Sequence, residues 1–200
     1  LIARDVLLTS STQVGKSMSV QIQSGDSLTL STPNRTPEEL GYERITVQDF
    51  GMDNGTYYSG VVYEDHYTGS YGDAVTSLHM KYIDMDVSFD EISRNDANIN
   101  YGGNDGWHGI KICGALLNDG QTEALNIRDA GTSNTDQYHN LTELGLSIHE
   151  PFNIKLATKY GEITDNKCNV TYTLWINNQY VGSHTFIAMP NPGNMIGIYA

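Results

Sequence analysis

Hydrophobic and polar residues alternate with a period of two along much of this chain, and no long segment follows the helical period of 3.6. Alternation of this kind marks a strand with one face on a core and the other on water. The cleanest run spans residues 78–89, where Ile83, Met85, Val87 and Phe89 fall on one face and Tyr82, Asp84, Asp86 and Ser88 on the other. Residues 19–23 and 27–31 alternate about a Ser24-Gly25-Asp26 turn and read as a hairpin. Further strands are expected at 44–48, 107–117, 123–128, 152–160, 169–176, 179–186 and 195–199.

Turn chemistry punctuates these runs. Asp53-Asn54-Gly55-Thr56, Asn95-Asp96-Ala97-Asn98, Asn118-Asp119-Gly120 and Asn177-Asn178 read as turns, and 102–106 and 130–140 as polar loops. Pro37-Glu38-Glu39-Leu40 fits a single helical turn with proline at its start. Residues 141–149 fit neither period. Many short strands with frequent turns predict an all-β protein, an antiparallel two-sheet sandwich. Its core should draw on Ile83, Met85, Val87, Phe89, Ile110, Ile112, Leu125, Ile127, Ile154, Leu156, Leu174, Ile176, Ile196 and Ile198. Trp175, in an alternating strand, is expected in the core or between the sheets. No linker or internal repeat divides residues 1–200, so one module is expected, a part of a longer protein.

Composition narrows the function. The 11 Lys and Arg are outnumbered by 24 Asp and Glu, a net charge of −13. That balance excludes a nucleic-acid partner, which needs clustered cations, and an anionic membrane surface. No apolar run approaches the roughly 20 residues of a membrane span. The remaining composition, rich in Tyr, Thr, Ser, Asn and Gly, is that of secreted β-proteins. Cys113 and Cys168 lack zinc or redox spacing and read as two buried thiols, with a disulfide as the alternative.

The last third of the chain carries a resemblance. Phe152-Asn153-Ile154-Lys155-Leu156, the run Tyr172-Thr173-Leu174-Trp175-Ile176-Asn177-Asn178-Gln179-Tyr180-Val181-Gly182-Ser183 and the end Gly193-Asn194-Met195-Ile196-Gly197-Ile198-Tyr199-Ala200 resemble the concanavalin A-like lectin and glucanase superfamily, especially its laminin-G-like and carbohydrate-binding modules. The resemblance covers roughly residues 78–200 and implies a jelly-roll sandwich, a glycan ligand, an extracellular or bacterial cell-surface setting and other domains of the same chain as neighbours.

The superfamily includes glycoside hydrolases, which need two carboxyl groups facing across a cleft. Asp84 and Asp86 share a strand face, but neither is Glu, and Glu91 lies past the strand. Glu64 and Glu123 have no supporting motif. The six histidines show no HxH or HxxxH pair. The chain is therefore expected to be non-catalytic, with a small hydrolase as an alternative. A structural calcium, which the resemblance implies, would want Asp, Asn and carbonyl oxygens in irregular loops. Asp49 with Asp53 and Asn54 is the first candidate, followed by Asn95 with Asp96, Asn104 with Asp105, and Asn118 with Asp119.

Aromatic residues point most directly to a ligand, because tyrosine and tryptophan rings stack on the C–H faces of sugars. Tyr57, Tyr58 and Tyr67 lie in one Gly-flanked stretch, and Tyr101 and Trp107 bracket a Gly-rich loop in which Asn104 and Asp105 would orient hydroxyls. The expected function is a carbohydrate-binding module led by Trp107. A neutral polysaccharide is the expected ligand, since the net charge opposes acidic polymers. The alternative is a laminin-G-like adhesion or structural module.

Overall fold

The structure, a computed structural model, describes residues 34–45, 48–53, 57–61, 79–90, 92, 98–103, 109–129, 136–165, 167–190 and 192–199; for 48–53, 57–61 and 192–199 it describes the backbone alone. The chain divides into two compact units, residues 1–35 and 36–200. Both sheets belong to the second unit. The expected hairpin at 19–31 lies outside the described residues.

The fold is all-β. Five strands form one sheet: β1 (Glu43–Arg44), β4 (Lys81–Val87), β9 (Phe152–Thr164), β10 (Lys167–Ile176) and β11 (Gln179–Pro190), in that spatial order. Seven form the other, in the order β2 (Gln48–Asp53), β3 (Tyr57–Val61), β12 (Pro192–Tyr199), β5 (Asn98–Gly103), β6 (Ile110–Leu116), β7 (Glu123–Asp129) and β8 (Gln137–Asn140). Pairing is antiparallel throughout except between β1 and β4.

One apolar cluster fills the space between the sheets. Ile83 and Val87, Ile154 and Leu156, Leu174 and Ile176 come from the five-stranded sheet, and Ile99, Ile110, Ile112, Leu125 and Ile127 from the seven-stranded one. Of the expected core residues, all those with described side chains join this cluster, Met85 as a partly buried member. Alternation is what puts them there: register pairs Ile83 with Leu156 and Leu156 with Leu174, so one row of apolar side chains crosses three strands. Two inward polar bonds tie the sheets together. Tyr101 shares a 3.3 Å hydrogen bond with Thr158, and His139 a 2.9 Å bond with Tyr172.

Local chemistry sets the connections. Asn177 and Asn178, both at positive φ (46° and 64°), make the two-residue turn between β10 and β11. That geometry matches strand twist, and Asn tolerates it better than other side chains. Thr36 and Glu39 form a capping box: Glu39 N donates to Thr36 Oγ1 at 3.2 Å and Thr36 N to Glu39 Oε2 at 3.1 Å. It fixes the start of the expected helical turn, seen as a 3-10 turn at Glu38–Leu40. Gly109 opens β6 at φ +110°, where a Cβ would lie 2.5 Å from Gly103 N and 2.7 Å from Tyr101 O, so only glycine fits.

Three expectations change. Asn98, read as the end of a turn, and Gly102-Gly103, read as loop, belong to strand β5, and 137–140, read as loop, are strand β8. Trp175 is 1% exposed but faces away from the main core, packed with Tyr82 and Ala157 beneath Leu40 and Tyr42 on the outer face of the five-stranded sheet. As expected, Cys113 and Cys168 are buried thiols that form no disulfide with each other. Burial, helped by the charge of Asp129, pushes the Cys168 thiol up to about 11.

Candidate functional site

The outer face of the seven-stranded sheet is unusual because its polar residues are buried. Strand alternation that sends Ile99 and Tyr101 inward sends Asn98 and Asn100 outward, and the same holds for Lys111 between Ile110 and Ile112 and for Asn126 and Arg128 around Ile127. Asn98, Asn100, Lys111 and Asn126 are each less than a tenth exposed, and Arg128 keeps 17% of its side chain in solvent. Buried amides and ammonium groups cost free energy unless their bonds are made.

Register arranges these residues in rows. One row runs Gly51, Ser59, Gly197, Asn100, Lys111, Arg128 across six adjacent strands. The next row on the same side places Tyr57 opposite Tyr199, and Tyr199 opposite Asn98. The first row therefore begins with small residues and ends in an amide and two cations. Asn126 pairs across the sheet with Tyr138.

Asp136 anchors the charged end. Its Oδ1 accepts from Asn126 Nδ2 at 3.1 Å, its Oδ2 accepts from the Tyr138 hydroxyl at 3.2 Å, and Arg128 Nε lies 3.4 Å from Oδ1. The last contact is an ion pair without hydrogen-bond geometry, so Arg128 Nε–H has no acceptor among the described residues. Asn126 Oδ1 likewise has no donor among them. With the Oδ1 atoms of Asn98 and Asn100, one buried donor and three buried acceptor atoms thus lack a hydrogen bond on this face among the described residues.

The residues expected to bind a ligand are only partly brought together. Tyr57 stands in register with Tyr199, in the second row, and Tyr58 stands in register with Ile198, and Ile198 with Ile99. Tyr101 is a correction: it is fully buried between the sheets, where desolvation raises its phenol well above the usual range, and it cannot stack on a sugar from there. Trp107, Asn104, Asp105 and Tyr67 lie outside the described residues.

The calcium candidates divide similarly. Asp49 and Asp53 lie on strand β2 rather than in an irregular loop, and Asn54, Asn95 and Asp96 lie outside the described residues. Asp119 is spent on its own turn: Oδ1 accepts from the backbone of Gln121 at 2.9 Å and Thr122 at 2.8 Å, and the Thr122 hydroxyl bonds Oδ2. Those bonds, the Thr122 hydroxyl first, lower the carboxyl to about 2. No group of three or more His, Cys, Asp or Glu that could hold a metal occurs among the described residues.

The carboxylates weighed for hydrolysis sit elsewhere. Asp84 and Asp86 lie on the outer face of the five-stranded sheet, where Asn153 Nδ2 donates to both at 2.9 and 3.1 Å, and Arg44 pairs with Asp84 at 3.4 Å. Glu123 Oε2 accepts from Ile148 N at 2.8 Å, which with Ser147 holds that carboxyl below its ordinary range. Glu64 lies outside the described residues.

Sequence reasoning missed Lys111, Asn126, Arg128 and Asp136. A signal for three of them was present: Lys111, Asn126 and Arg128 alternate with the apolar residues of two strongly patterned strands. Nothing in the chain announced that their outward side would be buried. Among the described residues no helix is long and apolar enough to cross a membrane. Comparison of the chain with protein-family models, with curated proteins and with solved structures found no match.

Proposed function

We propose that this protein is a non-catalytic carbohydrate-binding module whose ligand face is the outer face of the seven-stranded sheet. The observation that carries the reading is the register that lines up the small residues Gly51, Ser59 and Gly197 across β2, β3 and β12, with Tyr57 and Tyr199 in the next row. Small residues along a row leave room for a chain to lie across strands; Asn100 and Lys111, further along the row, are buried and are not offered to a ligand. Tyr57 and Tyr199, one row away, are the aromatic residues suited to stacking.

Supporting features lie elsewhere in the molecule. The two-sheet architecture agrees with the jelly-roll expectation from the concanavalin A-like resemblance, and the terminal strand β12 runs inside the larger sheet between β3 and β5. Asp84 and Asp86 are engaged by Asn153 and Arg44, which favours a structural role for them over a catalytic one. An extracellular or cell-surface setting, alongside other domains of the same chain, is part of the same proposal.

Affinity gel electrophoresis through a series of plant and cell-wall polysaccharides tests it. The intact chain is expected to be retarded by at least one of them, and Tyr199→Ala and Tyr57→Ala to weaken that retardation about tenfold while the melting temperature stays within about 5 °C. Retardation by none of them, or retardation untouched by both substitutions, overturns the reading.

A further inference from the structure

The side of the sandwich bounded by β8 and β11 is closed by two histidines and a tyrosine. β8 is the last strand of the seven-stranded sheet and β11 the last of the five-stranded one. His139 stands opposite Leu125 of β7 and His184 opposite Tyr172 of β10, so both histidines point to the core side. Their rings flank Tyr172, each with its centroid 6.0 Å from the phenol ring, and His139 Nε2 lies 2.9 Å from the Tyr172 hydroxyl. Both histidines are half-buried. Tyr172 is fully buried, and desolvation raises its phenol well above the usual range, so it stays neutral and able to donate.

Little else holds β8 on that side. None of its four residues is buried, and among the described residues it pairs only with β7. Its inward positions, Gln137 and His139, are polar, so it brings no apolar side chain to the core. The chain is pinned just beyond it, where Leu141 is fully buried and its N donates to Glu123 O at 2.9 Å. On the outer side the link is Asp136, which immediately precedes the strand and binds Asn126 and Arg128. A strand with so few buried contacts opens at lower cost than the sheet it edges.

Histidine is the side chain that gains a proton between pH 8 and 5. An imidazolium at position 139 can no longer accept from the Tyr172 hydroxyl, is desolvated in the seam, and meets the charge of His184, the one charge among the described residues that acts on it. Opening β8 returns the ring to water, so acid favours the open strand.

We infer that His139 and His184, one from each sheet, form an acid-released latch: when they are charged, β8 leaves the edge of the sandwich while the remaining strands stay paired. Release draws Asp136 away from Asn126 and Arg128, so a proton taken up on the core side rearranges the buried polar cluster on the outer face. The inference stands apart from the carbohydrate-binding reading and does not fall with it. It goes further than a loss of overall stability, because the opening is confined to one strand and the residues just ahead of it.

Native-state hydrogen exchange on the intact chain tests it, at about pH 7 and about pH 5 and over urea concentrations below the unfolding transition. The β8 amides are expected to exchange faster than those of β10 and with less than about half their urea dependence, the mark of a small opening. The His139 ring takes its proton near 6.5 in water and at about 4 in the fold, so the β8 opening constant should rise about twentyfold between these two pH values, after correction for intrinsic exchange. His139→Gln should remove that rise while keeping the small urea dependence, and His184→Gln should reduce it. The comparison of β8 with β10 in the unaltered chain decides the matter even if a variant fails to fold. One shared urea dependence for β8 and β10, or an acid rise that survives either substitution undiminished, overturns the inference.

Discussion

The two outer faces of the sandwich treat polar residues in opposite ways. On the five-stranded sheet most of them pair with one another near or at the surface: Thr171 with Thr185 at 2.6 Å, the buried Thr173 with Ser183 at 3.1 Å, and Asn153, which keeps one unsatisfied oxygen, with Asp84 and Asp86. What is buried there is aromatic, Trp175 and Tyr82, roofed by the segment containing Leu40 and Tyr42. On the seven-stranded sheet the polar residues themselves are buried, and four of their atoms stay unsatisfied among the described residues. Exposed polar pairs contribute little because water competes for both partners. Buried ones are costly to keep, so the second face is where a functional reason is to be sought.

The largest expected effect tests the aromatic patch of the first face. Trp175 is stacked edge-on to Tyr180 with ring centroids 6.0 Å apart and is almost fully buried. Trp175→Ala should cost about 3–5 kcal/mol in chemical denaturation. A loss below about 1 kcal/mol would mean that the roof over it does not seal the patch.

The inward-facing histidine sharpens the contrast, because it is a polar group buried on the core side. Desolvation first, and the neighbouring His184 second, lower His139 from 6.5 to about 4. The folded protein then resists a proton that the unfolded chain accepts. Stability from this group is complete above about pH 6.5 and is lost as pH falls towards 4, on the order of 3 kcal/mol at most. Urea melts between pH 7 and 4 should show that decline, and His139→Gln should flatten it. An unchanged slope in the variant would assign the decline to other groups.

Asp136→Ala addresses the second face directly. It leaves Arg128, Asn126 and Tyr138 without a shared acceptor and should cost about 1–3 kcal/mol. If stability is unchanged, the charged end of this face is far wetter than its burial suggests, and the contrast between the faces collapses. The smallest effect is expected on the first face. Thr171→Val removes an exposed hydroxyl pair with Thr185 and should shift stability by no more than about 0.5 kcal/mol, measured in the same melts. A larger loss would mean that exposed hydroxyl ladders hold this sheet together.

Legibility in the sequence followed the strength of local pattern. Strands β4, β6, β7, β9 and β10 carry apolar residues at every second position, and burial of that row is dictated wherever the strand is placed. Strand β5, Asn98–Gly103, carries a turn signal at one end and a loop signal at the other because Asn and Gly have low strand propensity; only pairing with β6 and β12 makes it a strand. Edge strand β8, Gln137–Asn140, has no apolar row of its own to declare it. These two segments supply Asn98, Asn100 and Tyr138 to the candidate face, and Asp136 immediately precedes β8. The site was therefore least legible where the pattern was weakest.

By itself the sequence determined the all-β class, the composition of the core and the turns at Asn118-Asp119-Gly120 and Asn177-Asn178, because alternation and turn chemistry act within a few residues. It could not determine which outward-facing residues are withdrawn from water. Tyr101 is buried, and Trp175 is buried on the outer side, because distant segments pack over or against them. Lys111 meets Arg128, and Asn126 meets Asp136, only through the register of neighbouring strands. Burial and register depend on contacts between residues far apart in the chain, so the tertiary structure alone decided where this protein's charged and amide groups come together.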